Sequence, residues 1–497
     1  MEVVWSCPNE VLPGADTTVI GCYQEPFGLE ESLSREKPVE LAQLAESILP
    51  ADWFKGEAGE TESAAFAGQR RIILVGLGKL NELDSAALRK AVNAAVQEAK
   101  HIKARRIRFN LLGHSSRLDV HTCARLISEI SLLSTYRFDK YKTEKKPDSI
   151  EQIQIDLGDN ASQKLQAAVQ EGVVLGRATW AARDLVNEPA NILTPEELAR
   201  RAKTIGEGSG LEVQILDETE IKALDMQAYL EVARAAANPP RLIVLRYAGN
   251  RNSDAETVAL VGKGLTYDSG GLSIKTNEGM VTMKRDMGGA AAVIGAMAAI
   301  AQQKLPVNAV GVIAACENMV SDRAFRPGDI IGSMAGKSIY VASTDAEGRL
   351  TLIDAIHYAI EKEGATKIAD LATLTAAATH TLGYAADVVV SNDDELYSAL
   401  AQAAEAAGEK KWRMPVFEEY RQQIKSDVAD LTNSPGRPGA VTAGVFIGEF
   451  VQSLPWVHID IAPSAWVDED KDYRSKGGTG SGVRSLYHLV KVLSENN

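Results

Sequence analysis

Short β-branched apolar runs alternate with helix-period segments along most of this chain, and that alternation confines it to α/β architectures. RRIILVGLG (70–78) leads into SAALRKAVNAAVQEAKHI (85–102), whose apolar residues recur at helical spacing. RIRFNLLG (106–113), LDVHTCARLISEISLLSTY (118–136) and IEQIQIDLG (150–158) repeat the pattern. Residues 1–160 therefore read as a small α/β domain with a largely parallel core. A helical stretch over 161–187 reads as a link to the remainder, 188–497. That remainder opens with NILTPEELA, which predicts a helix capped by Thr194 with Pro195 first and Glu197 third. LEVQIL (211–216), RLIVLRYAG (241–249), ETVALVGKG (256–264), NAVGVIAAC (308–316) and KIADLATLT (367–375) read as strands. GGAAAVIGAMAAIAQQ (288–303) reads as a helix of small residues. This second part is a larger α/β domain around a buried sheet, with glycine-rich loops at strand ends, where such folds place ligands.

At 497 residues the chain is too long for one ordinary core, which agrees with two domains. A net charge of −14 argues against indiscriminate nucleic-acid binding, although KARRIRF (103–109) is locally basic. No apolar run reaches the roughly 18 residues needed to span a bilayer. MEVVWSCPNE lacks the basic start and apolar core of a signal peptide. Cys7, Cys22, Cys123 and Cys316 show no CxxC spacing and read as reduced thiols. A cytoplasmic location with no membrane partner is the expectation.

Several familiar signatures fail. AGKSIYV (335–341) contains GKS, but the first glycine of a P-loop would fall at Ile331, and a strand seems to follow in place of a helix. GLGKLN (76–81) breaks the dinucleotide fingerprint at its third glycine, and GHSSR (113–117) and IGSMAG (331–336) are not GxSxG. There is no HExxH, and His458 in WVHIDIA reads as a hydrogen-bonded core residue. What stands out is charge concentrated in two segments, VGKGLTYDSGGLSIKTNEGMVTMKRDMGG (261–289) and STDAEGRL (343–350). In the second, Asp345, Glu347 and Arg349 alternate with Ala346 and Gly348, which places all three on one face of an extended strand or loop. Asp268, Asp286, Asp345 and Glu347 bring four negative charges, which two divalent cations would balance. Oxygen-rich ligation suits zinc, manganese, magnesium or cobalt. Lys263 joins such a set if burial and metal charge depress its pKa. A cation pair of this kind shares a water as hydroxide and polarises a carbonyl.

These segments resemble the cytosolic leucyl aminopeptidases, a family of metallopeptidases. The likeness rests on GKGLTYDSGGLSIK, MKRDMGGAAAV and STDAEGRL, and extends to RDLVNEPANILTPEELA (183–199), PPRLIVLRY (239–247), ENM with RPGDI (317–330), DLATLT (370–375) and WVHIDIA with GGTGSGVRSL (456–486). It covers about 180–490. It implies a macro-like N-terminal α/β domain and a catalytic domain with a mixed central sheet. It also implies a homohexamer of two stacked trimers, acting on short peptides and removing Leu-like N-terminal residues.

By that resemblance, one metal is held by Lys263, Asp268, Asp286 and Glu347. The other is held by Asp268, Asp345, Glu347 and a backbone carbonyl near Asp345, so that Asp268 and Glu347 bridge. The substrate's free α-amine would bind a metal near Asp286. Lys275 would stay protonated and stabilise the oxyanion as a bridging hydroxide attacks, and Arg349 would hold a bicarbonate acting as general base. Met283, Thr373, Leu374, Ala376, Ala462 and Ala465 would form the side-chain pocket. Alternatives stay open: Lys275 as a solvated loop lysine, Arg349 in a structural ion pair, Asp286 as a helix N-cap. A DNA-binding protein on the same scaffold, or a Cys-Gly dipeptidase or amidase, are the competing functions. The chain departs from the family pattern at Ser343 (usually Asn), Tyr340 (Glu), Ala376 (Gly) and Pro463 (Gly). Ser343 is expected to loosen the second metal's loop, and Ala376 to narrow the pocket floor against large aromatic side chains.

Overall fold

The computed structural model describes residues 1–5, 14–30, 53–66, 70–115, 117–145, 149–158, 161–250 and 256–495, so Cys7 lies outside the described residues. The chain divides into two compact units, Met1–Arg177 with Glu469–Ser475, and Ala178–Asp468 with Lys476–Asn497. The division falls within one continuous helix, Gln163–Asn187.

In the first unit, β1 (Glu2–Trp5), β2 (Thr17–Glu25), β3 (Phe27–Leu29), β4 (Thr61–Phe66), β5 (Arg70–Lys79), β6 (Arg106–Asn110) and β7 (Gln152–Asp156) form one sheet. Its order is β1-β7-β6-β2-β5-β4, with β3 beside β2. Every pairing from β1 to β5 is parallel, and only β3 and β4 join antiparallel. The largely parallel core expected from the alternation is present. Helix Ser85–His101 starts at Asp84, whose side chain accepts from Ala87 N, and buries Leu88, Ala91, Val92, Ala95, Val96 and Ala99 at helical spacing. Cys22 and Cys123 in this unit, and Cys316 in the other, are free and buried.

The second unit is built on β8 (Glu212–Leu216), β9 (Arg241–Ala248), β10 (Thr257–Asp268), β11 (Asn308–Asn318), β12 (Ile330–Ile331), β13 (Ile339–Tyr340), β14 (Lys367–Ala372), β15 (Asp387–Ser391), β16 (Lys411–Arg413), β17 (Leu431–Thr432) and β18 (Trp456–Asp460). Eight of these make a sheet of order β16-β15-β18-β14-β10-β11-β9-β8, and β12, β13 and β17 make a small separate one. The large sheet is mixed: β10 is parallel to both β11 and β14, while β9 is antiparallel to β11 and β15 to β18. Thr194 caps helix Pro195–Ser209 by accepting from Glu197 N, as its sequence predicts.

Helices cover both faces of the large sheet. Ala259, Val261 and Leu265 of β10 join the core that contains Leu350, Ile353 and Ile356 of helix Gly348–Glu363. On the other face, helix Gly288–Gln302 approaches closely enough that a Cβ at Gly262 would lie 2.8 Å from Gly289 O. A Cβ at Gly289 would in turn lie 2.0 Å from Leu371 O. The small residues of that helix are therefore a condition of its seat on the sheet.

Candidate metal centre

Strand β10 carries the first ligand candidates past its own alternation. Its pairing with β11 shifts between Leu265 and Tyr267. One extra residue there inverts the period of two, so Lys263 and Asp268, five positions apart, reach the same face. Buried Lys263 Nζ lies 2.7 Å from Asp286 Oδ2 and 2.8 Å from Glu347 Oε1. The Thr373 carbonyl accepts from it at 3.3 Å. Beside this group, Lys275 Nζ lies 2.7 Å from Asp268 Oδ2 and also pairs with Asp345 Oδ1.

Four carboxylates share two ammonium groups here, and burial makes the excess negative charge costly. Burial, then the nearby Asp268 charge, push the Glu347 carboxyl up to about 8 against the pull of Lys263. Burial likewise raises Asp286 to about 6, with Lys263 pulling the other way. Asp345 is raised too, mainly by burial and less by its neighbours. Burial works against the Lys263 ammonium, but Asp286, Glu347 and Asp268 outweigh it and hold its pKa above the ordinary range. Among the protein's own charges, Lys263 is thus a counter-ion, and the depressed pKa expected of it does not arise. Lys275 is also held up, because Asp268, Glu347, Asp286 and Asp345 overcome its burial.

The extended strand or loop expected over 345–349 is not found. Residues 343–347 turn, and helix Gly348–Glu363 begins at once, with Glu347 as its N-cap in helical conformation. The alternation is therefore not what directs these side chains. Gly348 does not weaken the helix start; it admits Lys263, whose Cε would lie 2.5 Å from a Cβ at that position. Arg349, in the first turn, is buried and donates from Nη1 to the Asn433 carbonyl at 2.7 Å. Its Nε has no partner among the described residues. Burial lowers its pKa to about 10, against the nearby Glu347 and Asp460 charges, so it stays charged at neutral pH.

Asp286 is not the N-cap of helix Gly288–Gln302. That position is Met287, without a side-chain cap, while Asp286 Oδ1 accepts from Thr373 Oγ1 at 2.8 Å. The Ser343 loop is tied rather than loose. Ser343 Oγ accepts from Asp345 N at 3.2 Å, and its carbonyl accepts from Asn433 Nδ2 at 2.7 Å. His458 is a buried core residue, its Nδ1 2.6 Å from Asp370 Oδ1.

The pocket candidates fall around the same region. Met283 is half-buried in the turn leading to Asp286. Thr373 and Ala465 are both neighbours that a side chain at Gly288 would meet. Leu374 and Ala462 are gathered by Asp460, whose Oδ1 accepts from their two amides at 3.0 and 3.2 Å. Ala376 is exposed at the first position of helix Ala376–Leu382.

Sequence reasoning missed three organising residues: Asn318, Asn433 and Asp460. Asn318 and Asp460 lie inside quoted motifs (ENM and WVHIDIA), but Asn433 carries no local signal.

The donor set fits divalent cations. Asp268, Asp286 and Glu347, all buried, each offer an oxygen within 4.8 Å of the others. Glu347 Oε2 is buried without a partner among the described residues. Hard oxygens around an excess negative charge suit such ions.

Comparison with known proteins places this geometry. Residues 180–487 match the catalytic domain of the cytosol aminopeptidase family, and residues 19–145 match that family's N-terminal domain. A probable cytosol aminopeptidase of Clostridium perfringens is 47% identical over 444 residues, covering 88% of this chain and 90% of that one. A mutant of tomato leucine aminopeptidase superposes with a TM-score of 0.87 at 36% identity, covering 99% of this chain and 96% of its own. The bottromycin maturation enzyme BotP, solved in complex with Mn, gives 0.84 at 32% identity, covering 97% of this chain and all of its own (100%). With both of its parts matched and relatives alike over nearly its whole length, the chain belongs to the cytosol aminopeptidase family.

Proposed function

We propose that the protein is a metal-dependent aminopeptidase that releases Leu-like N-terminal residues from short peptides, with two zinc or manganese ions per subunit. The observation that carries this reading is the buried set Asp268, Asp286 and Glu347 around Lys263 in a chain of this family. Lys263, Asp268, Asp286 and Glu347 would hold one ion, and Asp268, Asp345 and Glu347 the other. Bound there, divalent cations supply Lewis acidity and an acidified water. Asp286, beside Thr373, would receive the free α-amine, which restricts the enzyme to chain ends. Lys275 supplies a fixed positive charge where an oxyanion develops, consistent with its raised pKa. Arg349 has a buried N–H to spare and a planar fork, which suits a bicarbonate held as the proton-transfer base. Thr373, Leu374, Ala376, Ala462, Ala465 and Met283 would shape the side-chain pocket. A cytoplasmic homohexamer completes the proposal. Among the described residues no helix is long and apolar enough to cross a membrane.

The test is hydrolysis of Leu-p-nitroanilide by chelator-stripped protein, before and after adding Zn²⁺, Mn²⁺, Co²⁺ or Mg²⁺. Metal-restored turnover that N-acetylation of the substrate abolishes is expected. Turnover that ignores both metal and acetylation would overturn the reading.

A further inference from the structure

The carboxylates assigned to cations come from two loops far apart in sequence. Asp268 and Lys275 follow β10, whereas Asp345 and Glu347 sit in the turn before helix Gly348–Glu363. One buried side chain touches both loops. Asn318, the last residue of β11, is 0% exposed and donates from Nδ2 to Asp268 Oδ1 at 2.8 Å and to the Thr344 carbonyl at 3.0 Å. Both neighbours only accept, so the amide nitrogen has to face them. The backbone of Asn318 is fixed in turn, since its carbonyl accepts from Ser269 N at 3.0 Å and Ser269 Oγ at 2.8 Å.

Asp268 Oδ1 also accepts from Gly270 N at 2.8 Å. Two donors therefore occupy that oxygen, and Oδ2 alone turns toward Lys275. Thr344 carries the matching ties: its Oγ1 donates to the Gly270 carbonyl at 2.7 Å and accepts from Ser273 N at 2.8 Å. The two loops are thus stitched directly at Thr344 and through Asn318.

We propose that Asn318 is the positioning residue of the centre, setting the spacing of the two loops and presenting Asp268 Oδ2 alone to the cation shared with Asp345. The inference deepens the metal-dependent reading and needs only that cations bind. Lys263, Asp286 and Glu347 keep their own contacts and do not depend on Asn318. Loss of the amide therefore falls on one cation, not on both. Outer-shell partners of this kind are worth about 10–100-fold in metal affinity.

Calorimetric titration of Mn²⁺ into chelator-stripped wild type, Asn318→Leu and Asn318→Ser tests this. The expected result is one binding step weakened about tenfold or more and the other nearly unchanged, with kcat on Leu-p-nitroanilide recovered at saturating Mn²⁺. The stripped variants should also melt close to stripped wild type while gaining less from Mn²⁺. Unchanged affinities, equal weakening of both steps with a lowered melting point, or a single step in wild type would each overturn the proposal. Asn318→Ser keeps the comparison available if the leucine variant does not fold. If wild type binds Mn²⁺ without hydrolysing peptide analogues, the peptidase reading fails while the affinities still decide the role of Asn318.

Discussion

Lys275 and Arg349 show how the same charge serves different ends depending on what surrounds it. Lys275 is partly open to solvent and bound to Asp268 and Asp345, so its ammonium is secure. Arg349 is buried against a backbone carbonyl and retains an unused N–H. Neither is among the three residues that cluster as cation ligands. Lys275→Ala and Arg349→Ala should each lower kcat by about 10²–10³-fold, the cost of removing one preorganised transition-state donor. Metal content, read by atomic absorption, should be unchanged. Full turnover in both variants would dispose of the assigned roles. Their identity and charge were legible in the motif, but their partners were not, because Asn433 lies 84 residues from Arg349 and carries no motif of its own.

At the scale of elements, the chain's local chemistry was a good guide to what forms and a poor one to where side chains point. The β-branched runs became strands and Thr194 became an N-cap, since both depend on neighbours in sequence. The alternation over Asp345, Glu347 and Arg349 misled, because a turn into a helix delivers those groups instead. The phase change at Leu265–Tyr267 on β10 was equally invisible, as a bulge is defined only against a partner strand. The seat of helix Gly288–Gln302 gives a direct test. A methyl at Gly289 meets Leu371 O at 2.0 Å, a backbone atom that cannot rotate away. Gly289→Ala should cost about 3 kcal/mol or more by denaturant unfolding, and should weaken cation binding because Asp286 immediately precedes this helix. Stability within about 0.5 kcal/mol of wild type, the range of an innocuous surface change, would mean that the helix seat is not this tight.

For the whole molecule, each unit has its own sheet, and the carboxylate cluster belongs entirely to the second. The proposed homohexamer is a property of assembled surfaces. Sedimentation of active enzyme should give about six times the 53.4 kDa chain mass, and activity confined to a species of 53.4 kDa would contradict it.

The sequence by itself determined the α/β class, the division into a smaller and a larger part, and which charged residues gather near the ends of β10 and β11. Those follow from local periodicity and from motif chemistry carried on short, contiguous segments. Only the tertiary structure decided which oxygen of Asp268 faces Lys275, that Asn318 and Asn433 tie the loops, and that Lys263 reaches Glu347 through the space Gly348 leaves open. Each of these depends on contacts between segments 50 or more residues apart, and no local pattern encodes the phase of a bulge or the register of a loop against a distant strand.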